Sequence, residues 1–222
     1  MKRPFARRLY SCARYVTKRT TWFPGLLLLG TLANAFPVTD CEQRPNKPAD
    51  TPAASQVAAK LNTLRKCATG TDDRTACNVF LGKALEILFG NTDFKAGTNS
   101  FFLANDIVNG LEVPGNSGWK KIGQATEQSS LDKAAQLANS GKPVIAARIG
   151  RRNVDGSIGA GHVALIIPGA LEVYAFDGFG WGSLKTPSAA SFFIDKPDRL
   201  FVGCPLSAVW LRPDGVTLYY KP

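Results

Sequence analysis

The chain has 222 residues, 45% hydrophobic and 20% charged, which is enough to bury one core and too little for two full domains. Its 27 basic and 17 acidic residues give a net charge of +10, which points to nucleic acid or an anionic surface until the charges are placed along the chain. Seven basic residues and no acid fall within residues 1–35 (Lys2, Arg3, Arg7, Arg8, Arg14, Lys18, Arg19); the remaining 20 basic against 17 acidic residues leave only +3, so no nucleic-acid partner is expected.

Residues 1–35 read as an export signal. The basic stretch is followed by an apolar segment from Trp22 to Leu32 and then by Ala33-Asn34-Ala35, the small-x-small pattern that a signal peptidase accepts. Cleavage after Ala35 makes the protein periplasmic or extracellular. The apolar segment is shorter than the roughly 20 residues that span a bilayer, so no stable membrane span is expected after processing. Residues 36–54, with Pro37, Pro45, Pro48 and Pro52, have the composition of a linker.

The folded domain is expected over residues 55–222. Val57, Leu61 and Leu64 recur at helical spacing within 53–66. Residues 68–74 form a polar loop, and Thr75 is a candidate N-cap for a helix over Ala76–Phe89 that is apolar almost all round and closes at Gly90-Asn91. Further helices are predicted over Phe101–Asn109 and Ser130–Asn139. From Pro143 the period changes to that of strands: Val144–Ile149, His162–Ile167, Glu172–Phe176, Leu200–Val202, Ala208–Leu211 and Val216–Tyr220. Helices followed by strands predict an α+β domain, a mostly antiparallel sheet of about five to six strands with helices packed against one side.

With one histidine in the chain and no C-x-x-C spacing, a metal centre is not expected, and no glycine-rich phosphate loop lies between a strand and a helix. No cofactor is therefore expected. The run Gly156-Ser157-Ile158-Gly159-Ala160-Gly161 enters a strand instead and suggests close backbone approach beside His162.

Cys77 falls in the first turn of the apolar helix, where free N–H groups and the helix dipole favour a thiolate. It also shares a face with Leu81, Ala84 and Leu88, which is where a buried structural cysteine would sit. His162 opens an apolar strand, at the rim of a sheet, where it can serve as a general base. A tight turn at Gly169-Ala170 would pair Ile166 with Val173, Ala164 with Ala175 and His162 with Asp177, placing the carboxylate where it orients the imidazole. Cys12 lies in the leader, and Cys41, Cys67, Cys77 and Cys204 allow three complete pairings. If Cys77 is the nucleophile, a disulfide must use two of Cys41, Cys67 and Cys204.

Ala76-Cys77-Asn78-Val79-Phe80-Leu81, the Gly118-Trp119 segment and Gly161-His162-Val163-Ala164-Leu165-Ile166-Ile167 together resemble the papain-like cell-wall hydrolases of the NlpC and CHAP type, including amidase effectors that bacteria deliver into rivals. The resemblance spans roughly residues 55–222. It implies a papain-like fold with Cys77, His162 and Asp177 as the catalytic residues, a peptidoglycan stem-peptide amide as substrate, and an inhibitor or immunity protein as a possible partner. Two departures from the family pattern are that Cys77 follows Thr-Ala rather than Asp and that the third residue is Asp. Two other functions fit the same residues: an acyltransferase of the transglutaminase or arylamine acetyltransferase kind, and a secreted binding or inhibitor domain in which Cys77 pairs with Cys67.

Overall fold

The computed structural model describes residues 52–64, 76–98, 100–113, 118–173, 180–192 and 200–222. The expected export signal, most of the expected linker, the loop expected over 68–74, Thr75, Cys41, Cys67 and Asp177 lie outside the described residues. Helix α1 spans Pro52–Asn62, so the linker ends before Pro52 and not at 54; Ala54 and Leu61 are buried. Helix α2 spans Ala76–Phe89, as its apolar pattern predicts.

Strands β1 (Lys95–Gly97) and β2 (Ser100–Phe101) form a small antiparallel pair. Helix α3 then covers Ala104–Glu112 instead of starting at Phe101, because Phe101 is taken up by the ladder with Lys95. Strand β3 (Lys120–Gln124) and helix α4 (Gln128–Asn139) follow.

The main sheet contains β3, β4 (Val144–Arg148), β5 (His162–Ile166), β8 (Ser188–Phe192), β9 (Leu200–Pro205) and β10 (Thr217–Tyr220), in the order β3-β10-β4-β5-β8-β9. Every neighbouring pair is antiparallel, so the domain is α+β with a six-stranded antiparallel sheet. Ala208–Leu211, predicted as a strand, is instead a 3-10 turn over Leu206–Ala208 and the chain after it. The Leu206 N–H bonds to the Pro187 carbonyl at 2.8 Å, which turns the chain out of the sheet.

The predicted turn at Gly169-Ala170 does not pair the strands on either side of it. Both edges of β5 are occupied, by β4 and β8, while β6 (Glu172–Val173) pairs with β7 (Lys185–Thr186) in a separate small sheet. Asn139 at the end of α4 brackets Gly169 instead, accepting from its N–H at 2.9 Å and donating to its carbonyl at 3.2 Å.

Period-two alternation gives the sheet two apolar faces, and both are covered. On one face Ile145, Ala147, Val163, Leu165, Ala190, Phe192 and Tyr219 meet α1, α2 and α3. On the other, Val144, Ala146, Ala164, Ile166, Ala189 and Leu218 meet α4, Trp181 and Trp210. The expectation of helices on one side only is corrected by α4: its buried Leu131, Ala134 and Ala138 form an apolar stripe that needs the second face.

Candidate functional site

Cys77 is the second residue of α2 and packs, part-exposed, against the core beneath the three N-terminal helices. It is a free thiol, so the pairing of Cys77 with Cys67 is not formed. Cys204, fully buried on β9, is disulfide-bonded, and its partner lies outside the described residues.

The thiol sits against three backbone groups, those of Val163, Asn78 and Cys77 itself, each of which favours the thiolate. Burial acts more strongly in the other direction and pushes the thiol pKa above its ordinary value of 9.0. The low pKa expected at a helix start is therefore not found here, because apolar packing outweighs the helix N-terminus.

The contact with Val163 brings Cys77 beside the residue that follows His162. The imidazole itself faces the other way. In β5, Val163 and Leu165 face α2, whereas Ala164 and Ile166 belong to the opposite core, and His162 alternates with that second set. Its ring meets Trp210 edge-on with centroids 5.2 Å apart, and its Nε2 lies 3.4 Å from Ser191 Oγ. Ser191 donates to the Val163 carbonyl at 2.8 Å, so its oxygen is left to accept from an Nε2–H.

His162 is only 4% exposed. Burial first, and the Arg148 charge second, push its pKa down to about 3. The expected position at an open rim is thus corrected: the ring lies inside the second core as a neutral group. The ladder places Arg148 opposite His162, and Ile166 pairs with Val144 and Ala189 rather than with Val173, so the hairpin register that would set Asp177 there is not formed; Asp177 itself lies outside the described residues.

Hydrogen bonds connect the start of α2 to the loop ahead of His162. Asn78, 2% exposed, donates to the Phe102 carbonyl at 2.7 Å and holds the approach to α3 beside Cys77. Asn105, in the first turn of α3, accepts from Gly150 N–H at 2.9 Å and donates to the Gly159 carbonyl at 2.8 Å. A Cβ at Gly150 would overlap the Gly159 carbonyl, and one at Gly161 would overlap Asn105 Oδ1. The glycine-rich run therefore does serve close backbone approach.

Asn105, Ser191 and Trp210 were not legible as site residues. Their partners lie 54, 29 and 48 positions away along the chain, and no local pattern encodes such contacts. Among the described residues, no group of three or more His, Cys, Asp or Glu side chains could hold a metal ion. No protein family and no curated protein matches this chain.

Proposed function

We propose that this chain is an exported cysteine hydrolase of papain-like type that cleaves an amide bond in peptidoglycan stem peptides, with Cys77 as nucleophile. The observation that carries this reading is the free Cys77 thiol in the first turn of α2, against the backbone of Val163 at the start of β5. A central helix set on an antiparallel sheet, with the thiol at the helix start and the histidine at a strand start, is the arrangement that the resemblance implies.

In the proposed reaction the Cys77 proton passes to His162 and the sulfur attacks the amide carbonyl carbon. The oxyanion is held by the Cys77 N–H, the C–N bond breaks as the amine takes the proton, and water then releases the acyl group from sulfur. This step requires a change in the backbone at the start of β5, because alternation along the strand sets the imidazole on the sheet face away from Cys77. Asp177 as the orienting carboxylate remains part of the proposal by resemblance alone.

The test is digestion of purified peptidoglycan with mass spectrometry of the fragments. New amine and carboxyl termini from the wild type, absent with Cys77→Ala, support the reading; intact sacculi with folded wild-type protein overturn it. A second reading, a non-catalytic binding domain, is favoured by one specific observation: His162 is neutral, buried and satisfied by Ser191, as a structural histidine would be.

A further inference from the structure

Two polar groups, Arg148 and the Trp210 indole, neighbour His162 on the sheet face opposite Cys77. Both are hydrogen-bond donors with no acceptor among the described residues. Trp210 is 1% exposed and its Nε1–H has no partner. The other two described tryptophans are satisfied: Trp181 donates to the Trp210 carbonyl at 2.7 Å, and Trp119 donates to Asp93 at 2.9 Å. An orphaned indole N–H is therefore not a general feature of this fold, and a buried donor without a partner costs on the order of 1–3 kcal/mol.

Arg148 is the second donor. It ends β4 directly opposite His162, so both side chains emerge on the face that carries Trp210. It is half-buried, its aliphatic stem lies over Gly215, and among the described residues no hydrogen bond or ion pair reaches its guanidinium. Asp214 acts on it only through space, and Arg151 adds a second positive charge nearby. His162 neighbours both donors: its ring is in edge contact with Trp210, and the Arg148 charge acts on it from the opposite position of the ladder.

We infer that Arg148, Trp210 and His162 form a binding site for a small carboxylate, with the guanidinium and the indole N–H as its donors. A planar carboxylate offers two oxygens, one for the arginine fork and one for the indole, and its charge opposes those of Arg148 and Arg151, which Asp214 offsets only through space. The site stands whether or not Cys77 is catalytic. If the hydrolase reading holds, on which this extension rests, the substrate is an amide carrying a free carboxylate that docks across the strand end from Cys77. The bound anion would also offset the Arg148 charge and make the neutral His162 imidazole a stronger base.

The test uses the full chain carrying Cys77→Ala, with 15N-labelled indoles, so that no turnover is involved. The Trp210 resonance is assigned by its loss in Trp210→Phe. Titration with N-acetylglycine should move that resonance downfield and saturate, while N-acetylglycinamide, which lacks the charge, should leave it in place. Arg148→Gln should weaken the interaction by about tenfold or more. Four results would overturn the proposal: no saturable shift, an equal response to the amide, unchanged affinity in Arg148→Gln, or tighter binding of inorganic phosphate than of the carboxylate. The first of these is read on unsubstituted Arg148 and Trp210, so it does not depend on those variants folding. Failure of the hydrolase reading would appear separately, as undigested peptidoglycan.

Discussion

Two polar clusters flank the main sheet and differ in how well they are satisfied. Near the β3 and β10 edge, Asp93 receives Trp119 and Asn91 and pairs with Lys221, while Glu112 accepts from Tyr219 and pairs with Lys121. Burial pushes the Asp93 carboxyl up, but its hydrogen bonds outweigh it and hold the pKa below the usual carboxylate value; at Glu112 the Tyr219 hydroxyl is the main cause of the same shift. At the β4 and β5 ends, Arg148 and the Trp210 indole have no such partners among the described residues, the Cys77 thiol meets backbone groups only, and His162 has one long contact. Charges that are fully partnered hold a fold together. Donors left without acceptors mark where a ligand or a substrate group would enter.

The largest expected effect lies at Cys77. If the reading is right, Cys77→Ala reduces amide cleavage by roughly a thousandfold or more, while Asp93→Asn, at the satisfied cluster, keeps most of it; fragment analysis of digested peptidoglycan measures both.

Thiol reactivity sharpens the comparison next. Because burial raises the Cys77 pKa above 9.0, alkylation by iodoacetamide should accelerate about tenfold per pH unit from pH 7 to 9. A plateau reached below pH 8 would place a cation beside the thiol and bring the imidazole to the Cys77 face.

His162 ties stability to pH. Its folded pKa of about 3 lies below the ordinary 6.5, so the unfolded chain binds the proton first. The contribution is fully present above pH 6.5 and is lost as pH falls through the window from 6.5 toward 3. Urea unfolding at pH 7 and pH 4.5 should show roughly 2–3 kcal/mol of loss from this group, and His162→Gln should flatten that slope. An unchanged slope in the variant would mean that the ring is solvated.

The smallest effect belongs to the satisfied cluster. Asp93→Ala removes the carboxylate that accepts from the buried Trp119 indole and pairs with Lys221, and should cost on the order of 1–3 kcal/mol, seen as a lower Tm. Tyr219→Phe, which removes one donor to Glu112, should cost about 1 kcal/mol.

The helix at Ala76–Phe89 and the strands beginning near Val144, His162, Leu200 and Val216 were legible because each carries its period locally, in the 3.6-residue or two-residue spacing of its apolar side chains. The α+β class followed from their order. Strand β8 was not legible, since Ser188-Ala189-Ala190-Ser191-Phe192 is built of small residues whose strand character comes from its two neighbours. Charged β3 hid its role in the same way, as an edge strand that pairs only with β10.

At the candidate site, sequence by itself determined that a thiol stands at a helix start and a histidine at a strand start. Which strand neighbours β5, and therefore which face His162 takes and which side chains surround it, was decided only by tertiary structure. Alternation along a strand states that two faces exist, but burial of Leu131, Trp181 and Trp210 on one and of Phe80 and Leu81 on the other decides what each face meets. Those contacts join residues far apart in the chain, and no local pattern carries them.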